Sequence, residues 1–222
     1  MVNMETNLHL LWDMDGTLVN SEPEILATIE KSLATVGVKM SEAKVPLRIG
    51  PPVITVIRNS FPVGILSEEQ LNEAVKAFRK IYDSSDYENT LPFDGIEDLI
   101  NDSHYVHHII TNKPDLATHR ILERKGWDGR VVEVLTPHTL EMEFGHTMTK
   151  PELFKYCRAA YPEVSMVGIG DMAYDAKSAH AAGINSIGVL WGTGTREELE
   201  KVGCNYLVEN VKQLKKLLTN FG

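Results

Sequence analysis

The chain predicts an α/β fold, a doubly wound parallel sheet with a small α-helical insertion after its first strand. Three observations carry that expectation. Short apolar runs of strand length alternate with longer amphipathic runs, the pattern of parallel strands joined by crossover helices. Two of the apolar runs end abruptly in aspartates, at the strand edge where open sheets bind ligands. A long interval between the first two runs has helical periodicity and little strand character.

The first strand is Leu8–Trp12, an apolar run too short for an ordinary helix. It runs directly into Asp13-Met14-Asp15-Gly16-Thr17. Two carboxylates at a strand end, with a glycine turn behind them, suit a hard divalent cation and an attacking oxygen. A calcium loop does not fit, because its fifth position carries Thr17 and an apolar strand precedes it where a helix belongs.

The helical interval follows. Ile25, Ile29, Leu33 and Val36 recur at helical spacing from Glu22, and Gly37 is a natural stop. A second helix begins after Ser67, an N-cap with Gln70 at the capping-box position, and places Leu71, Ala74, Val75, Phe78 and Ile81 on one face. Pro46, Pro51, Pro52 and Pro62 break the stretch between them into short pieces. We therefore expect a helical cap domain over 19–85 and a core domain made of 1–18 and 86–222, with Leu91-Pro92-Phe93-Asp94-Gly95 bringing the chain back. An insertion at that point is expected to act as a lid over the carboxyl ends of the strands, excluding water and reading the substrate. Within it, Glu22, Arg48 and the Ile49-Gly50-Pro51-Pro52 loop are the candidates for substrate contact, Arg48 through a bidentate grip on a carboxylate or second phosphate.

The remaining strands are expected at His107–Thr111, Val131–Leu135, Ser165–Gly170 and Ser186–Leu190, with a short edge strand over Asn205–Val208. His104, His107 and His108 straddle a strand start, and strand side chains alternate between faces. They are therefore expected as surface or edge histidines rather than a metal site. Trp191-Gly192 is expected to serve packing and a turn.

At 222 residues the chain is one large domain or a domain with an insertion. Lys and Arg number 22 against 31 Asp and Glu, a net charge of −9 with no basic stripe, which argues against nucleic acid or an anionic membrane as partner. Cys157 and Cys204 have no metal-ligand spacing and are expected as free thiols in a reducing compartment. With no signal segment and no run of membrane-spanning length, a cytoplasmic location is expected.

Three further strand-end or helix-start motifs carry chemistry. Thr111-Asn112-Lys113-Pro114 places a hydroxyl and an amide where a helix begins, so both can donate to phosphate oxygens. Thr149-Lys150-Pro151-Glu152 puts a cation at a helix start, a position that asks for an anionic partner. In Gly170-Asp171-Met172-Ala173-Tyr174-Asp175, the spacing of the aspartates sets both on one helix face. Asp171 can complete a magnesium site begun at Asp13, and Asp175 can orient Lys150 or a metal-bound water. Ala176, Ala179, Ala181, Ala182 and Gly183 then make a helix small enough to pack closely on the sheet.

In this order the motifs resemble those of the haloacid dehalogenase-like (HAD) hydrolases, and among them the phosphoglycolate phosphatase-like branch. The resemblance spans nearly the whole chain, including the helical cap, the Pro-Phe-Asp-Gly return and the late Val189-Leu190-Trp191-Gly192. It implies a Mg2+-dependent phosphatase acting on small phosphorylated metabolites such as phosphoglycolate or a sugar phosphate. The resemblance assigns Asp13 as the nucleophile that forms an aspartyl-phosphate, and Asp15 as the general acid–base. It assigns Thr111, Asn112 and the backbone near Gly16 as the phosphoryl clamp, and Lys150 as the stabiliser of nucleophile and transferring group. Asp171 is implied as a metal ligand and Asp175 as a supporting carboxylate. Asp13 and Asp15 are expected to join the metal shell, Asp15 through its backbone carbonyl. The dehalogenases that name the family lack the second aspartate, so Asp15 favours phosphate chemistry. The approach to Lys150 through His138, Glu141, Glu143, Gly145 and His146 is less typical of the family. The rival readings are a phosphomutase or inorganic pyrophosphatase on the same scaffold, a phospho-accepting signalling domain, and a non-catalytic phosphate binder. The expected assembly is a monomer or homodimer.

Overall fold

Six strands form a single parallel sheet: β1 (Leu8–Trp12), β2 (Tyr105–Ile110), β3 (Val131–Leu135), β4 (Met166–Gly170), β5 (Asn185–Val189) and β6 (Tyr206–Val208). Their order is β3-β2-β1-β4-β5-β6. The chain builds outward from β1 on one side, returns, and builds outward on the other. The reversal lies between β1 and β4, and the crevice at such a switch point is where doubly wound sheets bind ligands. The structure, a computed structural model, describes residues 8–221.

The central strands are buried throughout, as a sheet covered on both faces requires. Strand bounds differ slightly from expectation. β2 is Tyr105–Ile110 rather than His107–Thr111, because Thr111 has already left the ladder, although its amide still donates to Leu135 O at 3.1 Å. β4 starts at Met166, β5 runs Asn185–Val189 rather than Ser186–Leu190, and β6 starts at Tyr206.

The helices in chain order are α1 (Glu22–Ala34), α2 (Val53–Ser60), α3 (Glu68–Asp83), α4 (Ile96–Ile100), α5 (Asp115–Lys125), α6 (Glu141–Phe144), α7 (Lys150–Ala160), α8 (Ala173–Ala181), α9 (Arg196–Lys201) and α10 (Val211–Leu218). α7 and α8 help cover one face of the sheet. Their close approach depends on Gly168 of β4, where an added Cβ would come within 2.8 Å of both the Ala179 methyl and the Phe154 ring. Ala176 and Ala179 are buried there, as the small-residue pattern predicts, whereas Ala181 is exposed.

The chain divides into two compact units, one formed by residues up to Asn20 and from Pro92 onward, the other by Ser21–Leu91. The second unit contains α1, α2 and α3. Ile29 and Leu33 of α1 and Leu71, Ala74 and Phe78 of α3 are buried. Ser67 caps α3 reciprocally, its hydroxyl accepting from Gln70 N at 3.1 Å while Gln70 Oε1 accepts from Ser67 N at 3.0 Å. The unit continues past the expected end at 85. Tyr87 packs edge-on against Tyr82 with centroids 5.2 Å apart, and buried Glu24 accepts from Ser85 Oγ at 2.6 Å and from Asn89 N at 3.3 Å. These contacts tie the segment after α3 to the helices before it.

The histidine expectation is overturned for two of three. His104 lies in an exposed turn, but His107 and His108 are buried in β2, on opposite faces. β2 is covered on both sides, so an alternating strand has no exposed face to offer them. His107 Nδ1 accepts from Trp12 Nε1 at 3.1 Å, and burial pushes its pKa down to about 4, although the Asp102 backbone favours the charged ring. Both cysteines are free, Cys157 buried and Cys204 half-buried. Among the described residues no helix is long and apolar enough to cross a membrane.

Candidate active site

Asp13 is the first residue beyond β1, and its amide donates to Ile169 O of the neighbouring β4 at 2.8 Å. The backbone then turns sharply: Gly16 N donates to Val19 O at 2.9 Å, and Leu18 N to Met14 O at 2.9 Å. Gly16 has φ +82°, and a Cβ there would sit 2.5 Å from Asp171 Oδ2. Glycine is required both for the left-handed backbone and for the close approach of the turn to Asp171.

Asp171 follows β4, and Asp175 lies in the first turn of α8. Asp171 Oδ1 accepts from Thr17 Oγ1 at 3.3 Å, and its Oδ2 from Thr193 N at 2.7 Å. Asp175 Oδ2 accepts from Met172 N at 2.9 Å. Trp191 braces the first loop, its Nε1 donating to Thr17 O at 3.0 Å.

Lys150 begins α7 and is buried with its Nζ between two carboxylates, 2.5 Å from Asp13 Oδ1 and 2.5 Å from Asp175 Oδ1. The anionic partner that a cation at a helix start requires is thus supplied from β1 and α8. Burial opposes the charge on Lys150, but Asp13 and Asp175 outweigh it and hold the ammonium above its usual range. The helix start is set by Glu152, whose Oε2 accepts from Thr149 N at 2.7 Å and Thr149 Oγ1 at 2.6 Å.

Asp13, Asp171 and Asp175 each bring an oxygen within 4.8 Å of the others, all buried. Burial and neighbouring carboxylates push Asp13 up to about 7 despite Lys150, and Asp171 up to about 6 despite the Thr193 and Gly194 amides. Three buried carboxylates with one shared ammonium are short of positive charge. A hard divalent cation fits this all-oxygen donor set and would relieve the repulsion.

The fourth aspartate named as a metal residue stands apart from this cluster. The carboxylate of Asp15 is gripped by Lys113, with Nζ 2.9 Å from Oδ1 and 3.0 Å from Oδ2. The metal contact expected of Asp15 is through its backbone carbonyl, and its carboxylate pairs with Lys113 instead. Lys113 is a buried cation on Asp15 to which the sequence pattern alone assigns no role. Its signal was its place in Thr111-Asn112-Lys113-Pro114: a lysine next to a phosphate-clamp motif, buried in the fold, needs an anion. Thr111 is buried, and its Oγ1 accepts from Lys113 N at 3.2 Å, whereas Asn112 is exposed. Glu22 and Arg48 belong to the second unit, Glu22 as the first residue of α1 and Arg48 as an exposed residue ahead of α2.

Residues 10–189 match the family model of haloacid dehalogenase-like hydrolases. A phosphoglycolate phosphatase of Xylella fastidiosa is 30% identical over 197 residues, covering 85% of this chain and 82% of its own length. A Mycobacterium tuberculosis protein named tyrosine-protein kinase PtkA is 27% identical over 199 residues, covering 86% of this chain and 65% of its own. Among solved structures, a predicted phosphatase from Clostridium acetobutylicum superposes with a TM-score of 0.77 at 25% identity, over 97% of this chain and 99% of its own. The chain belongs to the haloacid dehalogenase-like hydrolases and is an enzyme of that family.

Proposed function

We propose that this HAD-family phosphatase hydrolyses small phosphomonoester metabolites, of the phosphoglycolate or sugar-phosphate kind, through a phosphoryl group carried on Asp13, with Mg2+ as its cation. The observation that carries the reading is the arrangement at the ends of β1 and β4. One buried carboxylate, Asp13, is held by a buried lysine and flanked by Asp171 and Asp175, while a separate carboxylate, Asp15, stands on its own lysine. The two aspartates of the first motif therefore have different partners, which supports giving them different roles. Supporting the substrate class is the likeness to proteins named phosphoglycolate phosphatase.

In the first step an Asp13 oxygen attacks phosphorus, the P–O bond to the substrate breaks, and Asp15 delivers a proton to the leaving alkoxide. In the second step water attacks phosphorus, Asp15 takes its proton, and the Asp13–phosphorus bond breaks to release phosphate. Lys150 holds Asp13 Oδ1 throughout, and Thr111 and Asn112 donate to the phosphoryl oxygens. Lys113 positions the Asp15 carboxylate. A divalent cation held by Asp13, Asp171 and the Asp15 carbonyl supplies charge neutralisation for the incoming phosphoryl group. Asp175 serves that site chiefly by orienting Lys150. Substrate choice is assigned to the helical unit, with Glu22 and Arg48 as the residues that set it.

The test is magnesium-dependent phosphate release from a panel of phosphoglycolate, sugar phosphates, nucleotides and pyrophosphate, with Asp13→Asn as control. Release that needs both the metal and Asp13 is expected, with the variant down by about 10³-fold or more. Wild-type rates in Asp13→Asn would remove Asp13 as the nucleophile. Conversion of a sugar phosphate to its isomer with little free phosphate would make the protein a mutase. Preference for pyrophosphate would make it a pyrophosphatase.

A further inference from the structure

Three side chains with metal-ligand chemistry converge beside β1, where His108 is in register with Leu11 and Glu133 with His108. His108 of β2, Glu133 of β3 and Cys157 of α7 bring Nδ1, a carboxylate oxygen and Sγ within 4.8 Å of one another. His108 Nδ1 is 3.2 Å from Glu133 Oε2 and 3.6 Å from Cys157 Sγ. Tetrahedral bonds of about 2.0–2.3 Å to nitrogen, oxygen and sulfur imply ligand–ligand edges of roughly 3.3–3.6 Å, so the spacing suits a zinc-sized cation. His108 and Cys157 are wholly buried, while the Glu133 side chain is 23% exposed and gives an ion a way in.

The surroundings favour the same reading. His108 Nε2 lies 2.9 Å from His9 Nδ1, and the rings of His9, His108 and Tyr161 pack together with centroids 5.0–5.2 Å apart. A hydrogen bond from the distal ring nitrogen is how metal-ligating histidines are oriented. With the proton on Nε2, the Nδ1 lone pair faces two more acceptors, and the single thiol proton can serve only one of these contacts. A cation that replaces the thiol proton satisfies all three.

We propose that His108, Glu133 and Cys157 form a second cation site, distinct from the catalytic carboxylates and selective for a borderline-soft ion of the zinc class. The mixed nitrogen, sulfur and oxygen set selects zinc or cobalt over magnesium, which prefers oxygen alone. Binding forms the metal–sulfur bond and releases the Cys157 proton to solvent. His108 lies on the strand next to β1, in register with Leu11, which precedes Asp13 by two residues or about 7 Å along the strand. The site shares no ligand with the carboxylate cluster, so the ion braces β2, β3 and α7, and the inference does not rest on the phosphatase reading.

The experiment is titration of Co2+ into the full chain with excess Mg2+ present to cover the carboxylates, followed by absorption. A sulfur-to-cobalt charge-transfer band should grow to one equivalent and vanish on addition of Zn2+. Cys157→Ser should abolish it, Glu133→Gln should weaken cobalt binding about tenfold or more, and Cys204→Ser should leave it unchanged. Circular dichroism of each variant shows whether it is folded, and Glu133→Gln, at a partly exposed position, keeps the test open if Cys157→Ser is not. No thiolate band in the folded wild type, or a band that survives Cys157→Ser, overturns the site. The cluster is then a hydrogen-bonded core network with His108 Nδ1–H donating to Glu133.

Discussion

The strand β1 buries polar groups at both ends, and the two ends solve the problem differently. Toward its start, His9 meets His108, and beyond its end Asp13 meets Lys150, Asp171 and Asp175. The histidine end buries groups that can be neutral, so no like charges are forced together there. The aspartate end buries like charges, which Lys150 only partly offsets, and Asp13 and Asp171 rise to about 7 and about 6 as a result. What separates a core polar cluster from a reactive one here is the surplus of like charge left for a ligand to complete. His107, on the opposite face of β2, shows the core solution in its plainest form, a ring kept neutral against Trp12.

That contrast can be broken in order of effect. Changing the lysine on the acid–base carboxylate should act strongly on chemistry: Lys113→Met is expected to lower kcat about 10²-fold, since Asp15 loses its two-point grip. Asp15→Asn should go further and let phosphoenzyme accumulate in acid-quenched reactions. Equal, wild-type breakdown rates in both variants would remove the pair from the mechanism.

The like-charge surplus should be visible in stability next. Asp13 and Asp171 have folded pKa values above their ordinary 3.8, so the folded state holds protons that the unfolded chain has shed. Their contribution therefore falls as pH rises from about 4 to about 7, and a divalent cation relieves it. Mg2+ should raise Tm by roughly 2–6 °C near pH 8 and much less near pH 5. A shift independent of pH would contradict the charge argument.

The buried His107 should respond with the opposite sign. His107 titrates near 4 in the fold against 6.5 ordinarily, so its contribution is complete above 6.5 and is lost as pH falls toward 4. Thermal melts should show His107→Gln losing less stability than the wild type over that window, by roughly 1–3 kcal/mol. Smallest of all is a local cap far from either cluster. Ser67→Ala should cost about 1 kcal/mol by denaturant melting and leave phosphate release unaltered.

Much of this was legible in the residues. The alternation of apolar and amphipathic runs identified the parallel sheet, and the Ser67–Gln70 box located α3, because strand and cap signals are local. Asp13, Lys150, Asp171 and Asp175 stand out individually in the sequence because each lies just after a strand or in the first turn of a helix. The partnership of Lys113 with Asp15 was missed, because a lysine after Asn112 has no local mark that distinguishes it from a solvated one. The histidines of β2 were misplaced for a related reason: period-two alternation tells faces apart, but it does not say that both faces are covered.

The sequence by itself determined the order of strands and helices, the family and the chemistry available at the strand ends, since periodicity, capping and turn requirements act over a few residues. Only the tertiary structure decided which charges meet. Strand order brought β4 beside β1, so that Asp171 reached Gly16 and Lys150 fell between Asp13 and Asp175. The same packing set Cys157 against His108 and Glu133, residues with no shared spacing in the chain. Electrostatic partnership depends on distance in space, and a parallel sheet places neighbours far apart in sequence within a few ångströms.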